Sequence, residues 1–345
     1  MQRALRRSPV RTSTSAMRAV VITRPGGPEV LEVRDVPRPL PREGEVLVRV
    51  HASALNRADV LQRQGRYPAP PGVPANIPGL EMAGEVAEIG PGVQRLKVGD
   101  RVFGIVGGGG NAEYVVTHEK ELAPIPARLS WEDAAAVPEA FITAHDALIT
   151  QAAMRAGETV LVHAVGSGVG LAAVQLVRAF SGTCYGTART PDKIERAKEL
   201  GLADGVVIKD DPGAMSAHIQ RWTDGKGVDV VMDLVGGPYL PASVESAATL
   251  GRIILIGLLA GRAANVNLGT ILSRRLTVRG TVMRARSARE KAAATEAFAA
   301  DVLPLLERGA VRPVVDRIFS MEKIREAHAL MESNETFGKI VIRTI

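Results

Sequence analysis

Between Thr159 and Leu176 a short β-branched run, three closely spaced glycines and an apolar helical pattern follow one another, Thr-Val-Leu-Val-His-Ala-Val-Gly-Ser-Gly-Val-Gly-Leu-Ala-Ala-Val-Gln-Leu. This order predicts a strand, a tight turn and a helix. Backbone without Cβ can turn sharply and approach a pyrophosphate, whose charge is then held by N–H groups at the helix N-terminus. The cradle so predicted is Gly166, Ser167, Gly168, Val169 and Gly170. Strand-like runs recur after it at Thr183–Thr187, Val206–Ile208, Val228–Asp233, Arg252–Ile256 and Leu276–Val282, with helical segments between them. Six strands with crossovers make an α/β fold with a doubly wound parallel six-stranded sheet.

The glycine spacing is not the full G-x-G-x-x-G, and many strand turns carry glycines that bind nothing. Its context is more telling. At the end of the next strand a cofactor without the extra phosphate would meet an Asp or Glu on its ribose hydroxyls; Tyr185–Thr190 supplies Arg189 instead, with Pro191 opening a helix and Lys193 in its first turn. A charged hydrogen bond contributes about 1.5 to 3 kcal/mol, so two cations on a ribose phosphate favour NADPH over NADH by about a hundredfold or more. The plain alternative is that both are solvated surface charges.

A sizeable module precedes the loop. From Met17 the chain reads as β-rich, with apolar alternation in Glu45–His51 and glycines at 84, 90, 92 and 99. Ser130-Trp-Glu-Asp133 is a capping box that opens a helical region running toward Gln151, and Ser287-Ala-Arg-Glu290 caps a long helix. The tail from Val314 reads as strand, helix, strand without a crossover partner, and is expected to return to the first module. The boundaries so read are 17–138 with 284–345 for that module and 139–283 for the parallel sheet. Residues 1–16 hold four arginines with several Ser and Thr and no acid, and read as a disordered tail or, alternatively, a mitochondrial transit peptide.

Composition narrows the function classes. No apolar run approaches the roughly 20 residues of a membrane span. The 43 Lys and Arg exceed the 37 Asp and Glu only modestly and aromatics are 3% of the chain, which argues against nucleic acid as a main partner. The single cysteine, Cys184, allows no internal disulfide and points to a reducing compartment, read as the cytoplasm, or the mitochondrial matrix if the start is a transit peptide. Its place in a strand reads as core.

Gly84-x-Val-x-x-x-Gly90, Val98-Gly-Asp-Arg-Val102, His163–Gly170 and Gly338-Lys-Ile-Val-Ile342 together resemble the medium-chain dehydrogenase/reductase superfamily, from about Met17 to the C-terminus. Ser53–Asp59, Gln62–Tyr67, Pro78-Gly-Leu-Glu81 and Pro138–Thr143 look like its zinc-free quinone oxidoreductases, above all the animal tumour-suppressor-inducible branch. The resemblance implies a GroES-like β-barrel domain built from both chain ends, a Rossmann domain between them and a homodimer. It also makes missing ligands informative. Where zinc-dependent relatives have a cysteine, a histidine and a second cysteine, this chain has Asn56, Leu80 and Glu139, and one carboxylate with no soft ligand does not hold zinc. The six histidines show no close pairing and read as core or surface residues.

Without a Lewis acid the acceptor must already be electrophilic. A small-molecule quinone or conjugated carbonyl fits, the protein supplying mainly position. By resemblance, Gly257, Leu258, Met283, Arg284 and Lys339 lie near the nicotinamide half, and Asn56, Tyr67 and Thr143 line the cleft: Asn56 and Thr143 contacting nicotinamide or acceptor, Tyr67 orienting or protonating the substrate oxygen. Ser167 replaces a loop glycine of many relatives, and Ile208 replaces a tyrosine beside the ribose phosphate. Plain alternatives stand beside each: Asn56 as a helix cap, Tyr67 packed on Pro68, Thr143 bonded to a helical carbonyl. The expected activity is NADPH-dependent quinone reduction; the rivals are an enoyl-thioester or alkenal reductase, and an NADPH-binding regulatory or RNA-binding protein without turnover.

Overall fold

The computed structural model describes residues 12–344, so most of the arginine-rich start lies outside the described residues. Its last part corrects the expected tail. β1 (Thr12–Ile22) begins ahead of Met17 and pairs antiparallel with β2 (Leu31–Pro39), Thr12 opposite Pro39 and Ala16 opposite Pro37. Residues 14–16 are exposed whereas Met17 and Ala19 are buried. A strand end with no buried face leaves no hydrophobic period to read.

The chain divides into two compact units, Met1–Glu139 with Met283–Glu307 and Pro313–Ile345, and Ala140–Val282 with Arg308–Arg312. In the first, β3 (Glu45–Ala54) is central. It pairs with β4 (Glu81–Ile89), β6 (Tyr114–His118) and β15 (Lys339–Arg343), while β5 (Arg101–Ile105), β7 (Leu122–Pro124) and β14 (Val315–Ser320) extend the seven-stranded sheet. The tail does return here: Val341 stands opposite Ala54, and Ile340 and Ile342 share a core with Val20, Leu31, Leu55 and Val60. This pairing sets Lys339, the first residue of β15, near the end of β3 and the loop to helix Arg57–Arg63.

The second unit holds β8 (Thr159–Val162), β9 (Thr183–Ala188), β10 (Leu202–Val207), β11 (Val228–Asp233), β12 (Ala247–Leu255) and β13 (Thr277–Gly280), all parallel, in the spatial order β10-β9-β8-β11-β12-β13. Counted within the sheet that is 3-2-1-4-5-6, the Rossmann order, and it reverses between β8 and β11. Ligands of such sheets bind at the carboxyl ends of the strands at that point.

β10 starts earlier than the expected Val206 and ends before Ile208. The early part contains Gly205, which has low strand propensity, and glycine is required there because a Cβ would stand 2.5 Å from Ile194 Cδ1 on the helix Pro191–Lys198. The region opened by Ser130 is a short helix, Trp131–Ala135, followed by π-helical turns at Pro138–Ile142 and Asp146–Gln151 around Thr143–His145. Such turns are rare and concentrate at functional sites.

Candidate active site

The loop after β8 turns through Ala164, held at φ 55°, into the helix Gly168–Ala179. Ser167 caps that helix, its Oγ accepting from Gly170 N–H at 3.0 Å. The first N–H groups of a helix have no intrahelical acceptor, and those of Gly168 and Val169 are the ones this turn presents. Gly170 is compelled by packing, since a Cβ there would stand 2.5 Å from the Ala164 carbonyl oxygen. At Gly166 a Cβ would stand 2.8 Å from Lys193 Cδ, so the stem of Lys193 lies across the loop. Arg189 follows the last residue of β9 and is exposed. The structure thus brings the loop and Lys193 together, with Arg189 one turn away in sequence.

Two residues that sequence reasoning missed stand at the same strand ends. Asp233 closes β11, fully buried, with Oδ1 accepting from Val235 and Gly236 N–H at 2.8 Å and Oδ2 without a partner. Tyr239 opens the next helix; burial raises its phenol pKa and the charge of Arg189 opposes this. Its ring meets His163 edge-on at 4.9 Å. His163 is buried between Thr187 Oγ1 and Ser243 Oγ at 3.1 and 2.9 Å, and burial lowers its pKa, so it is a satisfied core histidine. Ile208 is 2% exposed and belongs to the apolar core under the sheet, with Leu161, Val231 and Ile253. Cys184 is buried too, its thiol pKa pushed up by burial.

The first unit gathers a second set of residues. Lys339 Nζ donates to Leu55 O at 2.9 Å and to Asn56 Oδ1 at 2.6 Å, and pairs with Glu81 Oε1 at 2.6 Å. All three ammonium protons are engaged. Asn56 Nδ2 also donates to Glu81 Oε1, at 2.8 Å, and its N–H to Asp59 Oδ2 at 2.9 Å, so Asn56 both caps the helix Arg57–Arg63 and holds Lys339 and Glu81. Glu81 Oε2 accepts from Glu139 N–H at 2.8 Å. Burial pushes Asp59 up to about 6 against hydrogen bonds from Gly79 and Asn56 N–H. Enclosure by protein and the charge of Glu81 push Glu139 up to about 8.

Arg284, 4% exposed, is another buried cation of this unit. Its Nε donates to Gly107 O at 2.7 Å, Nη2 to Gln62 Oε1 at 2.7 Å and Nη1 to Tyr67 O at 3.4 Å, while its guanidinium lies 5.0 Å from the Tyr67 ring centre. Tyr67 is half-buried, and burial raises its phenol pKa. Arg284 and Lys339 therefore hold their own unit's loops together, and reach other groups through Tyr67 and Asn56. Among the remaining expected residues, Met283 falls in this first unit and is buried, whereas Thr143, Gly257 and Leu258 lie in the second. Thr143 is 5% exposed and its hydroxyl has no hydrogen-bond partner, so the helical-carbonyl alternative is not observed. A Cβ on Gly257 would run into Leu234 O, and Leu258 beside it is 50% exposed.

A profile for the alcohol dehydrogenase GroES-like domain matches residues 42–127, and one for zinc-binding dehydrogenases matches 168–300. The human quinone oxidoreductase is 30% identical over 336 residues, covering 96% of this chain and 99% of that protein, and the Pseudomonas aeruginosa quinone oxidoreductase is 35% identical, covering 92% and 96%. The chain belongs to the quinone oxidoreductase family of medium-chain dehydrogenases/reductases. Its fold matches the Pseudomonas syringae quinone oxidoreductase with a TM-score of 0.84 at 29% identity, over 95% of this chain and all of that one. A mycobacterial protein solved with NADPH matches with a TM-score of 0.85 at 27% identity over the same shares.

The family profile speaks of zinc, and these residues do not fit it. Leu80 is apolar and 2% exposed, and both polar atoms of the Asn56 amide are bonded within the protein. An ammonium already sits against Asn56 and Glu81. Among the described residues no group of three or more His, Cys, Asp or Glu is arranged to hold a metal ion, and no helix is long and apolar enough to cross a membrane.

Proposed function

We propose that the protein is an NADPH-dependent, zinc-independent reductase of small quinones. The observation that carries this reading is Lys339, bonded to Asn56, which stands at one of the positions where zinc-dependent relatives place a metal ligand, and to Glu81, next to the apolar Leu80 that stands at another. A site organised around a saturated ammonium offers no open coordination position to polarise an alcohol or a simple carbonyl. An acceptor that is already electrophilic needs none, and the family's named members are quinone oxidoreductases.

The glycine loop fits a dinucleotide, because the turn leaves the N–H groups of Gly168 and Val169 without an intrahelical acceptor and the bare backbone at Gly166 lets the stem of Lys193 lie across the loop. Bound there, NADPH would supply the hydride. Gly166–Gly170 hold the pyrophosphate through the N–H groups of Gly168 and Val169, with Ser167 fixing the turn. Arg189 and Lys193 take the ribose phosphate, Lys193 pre-positioned by its stem across Gly166. By the resemblance, Gly257 and Leu258 of the second unit and Met283 of the first contact the nicotinamide half, and the unpartnered Thr143 hydroxyl donates to it or to the acceptor. Asn56 and Lys339 fix the polar centre; Tyr67, steadied by Arg284, orients the acceptor oxygen.

We further read the protein as a homodimer of a reducing compartment, the cytoplasm in the first instance. β13 is a wholly exposed edge strand paired only with β12, and nearby Leu268, Leu272 and Val278 are 72%, 80% and 39% exposed. Long exposed apolar edges are otherwise aggregation sites. The reading as a whole is tested by turnover on an ortho-quinone, an alkenal and a crotonyl thioester side by side: the quinone is expected to be reduced fastest, and a clear thioester preference overturns the choice.

A further inference from the structure

Glu139 lies in the polar centre of the first unit without a task in that account. Its backbone N–H is fixed to Glu81 Oε2 at 2.8 Å, while among the described residues its carboxyl oxygens take part in no hydrogen bond or ion pair. The neighbouring cations are engaged elsewhere. Lys339 gives its three protons to Leu55, Asn56 and Glu81, and Arg284 gives its guanidinium to Gly107, Gln62 and Tyr67. Glu81 is fully buried and bonded through both oxygens, which fixes its carboxyl group beside the Glu139 backbone. Glu139 itself keeps part of its surface open.

We propose that Glu139 is the proton donor to the oxygen of the reduced acceptor. The proposal rests on the quinone-reductase reading. Two-electron reduction of a quinone by hydride leaves a negative charge on a carbonyl oxygen; the O–H bond of the Glu139 carboxylic acid breaks, its proton forms an O–H bond with that oxygen, and the Glu139 carboxylate regains a proton from water. Five ionisable groups are coupled to this carboxyl by charge: Glu81 on β4, Asp59 on helix Arg57–Arg63, Lys339 on β15, Arg284, and Tyr67, whose phenol responds to the charge of Glu139. Glu81 and Asp59 favour the acid; Lys339 and Arg284 oppose it. A carboxyl near 8 is protonated at neutral pH yet releases its proton readily, as general acid catalysis requires. The Tyr67 phenol, raised above its ordinary 10, is the weaker acid by about a hundredfold or more.

The test compares wild type with Glu139→Gln and Glu139→Asp in kcat against pH on an ortho-quinone, with the infrared carbonyl band of the protonated carboxyl followed in the free protein. Wild type is expected to lose activity with a midpoint near pH 8 and to show a carboxylic band vanishing over the same range. Glu139→Gln loses both the band and the alkaline limb, with kcat down about a hundredfold and NADPH affinity unchanged, while Glu139→Asp keeps a limb. An alkaline limb intact in Glu139→Gln, or kcat within twofold of wild type, overturns the proposal. A wild type that shows the band but reduces no quinone refutes the functional reading instead, and a carboxylic band unchanged in Glu139→Gln overturns the proposal even if that variant is too unstable for kinetics.

Discussion

Replacing Lys339 by Met keeps the stem and removes the ammonium, which leaves the Glu81 carboxylate, fully buried, without its counter-ion. Breaking one side of a buried pair costs about 3 to 5 kcal/mol, and here the geometry bounds the figure. The side chains are 5% and 0% exposed, and Glu81 keeps only the Asn56 and Glu139 donors. A stranded carboxylate can take a proton instead; with an ordinary carboxyl pKa of about 4.3 and 1.36 kcal/mol per pH unit, that caps the charge penalty near about 3.7 kcal/mol at pH 7 and about 1 kcal/mol at pH 5. The Leu55 carbonyl and Asn56 amide each lose a donor, for about 1 kcal/mol apiece. The expected destabilisation is therefore about 4 to 6 kcal/mol at pH 7, shrinking by more than 2 kcal/mol at pH 5. Urea unfolding reads it cleanly, because Trp131 belongs to the first unit and Trp222 to the second, so in a Trp222→Phe background the fluorescence follows the first unit alone. Adding Glu81→Gln should recover part of the loss and abolish its pH dependence. A loss under about 1 kcal/mol at pH 7, or one equal at both pH values, would refute the claim that this pair organises the unit.

Three further outcomes follow from the same structure. Arg189→Ala and Lys193→Ala should each weaken NADPH binding about tenfold or more by titration calorimetry while leaving NADH within twofold, since each removes a charged hydrogen bond of about 1.5 to 3 kcal/mol to the ribose phosphate; equal losses for both cofactors would place these residues elsewhere. The raised Glu139 pKa favours folding below pH 4.5 and that contribution fades as pH rises to about 8, so Glu139→Gln should gain stability on wild type across this window, by about 1 to 3 kcal/mol at pH 9; a gain that does not grow with pH would contradict the raised value. Leu272→Glu on the exposed edge should shift the protein toward monomer in sedimentation, and an unchanged dimer would move the interface away from β13.

The parallel sheet was legible because most strands are short β-branched runs closed by a turn signal, and the turn into the helix Gly168–Ala179 because Gly170 is demanded by contacts with Ala164 and Val165, local in the chain. Lys193 sits in the first turn of the next helix, which carries its stem across Gly166. The first unit's polar centre was not legible. Lys339 and Asn56 are 283 residues apart, and Arg284 and Gln62 are 222 apart, so nothing in the local pattern pairs them; only the return of β15 onto β3 does. Glu81 stood in view within Pro78-Gly-Leu-Glu81, yet a lone acid in a strand carries no sign of its partners. The strand over residues 12–16 escaped because residues 14–16 are exposed and leave no hydrophobic period, and the early start of β10 because Gly205 weakens the signal for the sake of contact with Ile194.

The central claim is a hydride transfer from NADPH to a quinone that needs no metal. It is tested most directly by the optically followed oxidation of NADPH and NADH with an ortho-quinone, by purified protein before and after exhaustive dialysis against a chelator. Turnover that prefers NADPH and is the same in both preparations is the predicted result; turnover lost on chelation and restored by zinc, or NADH used equally well, would contradict it.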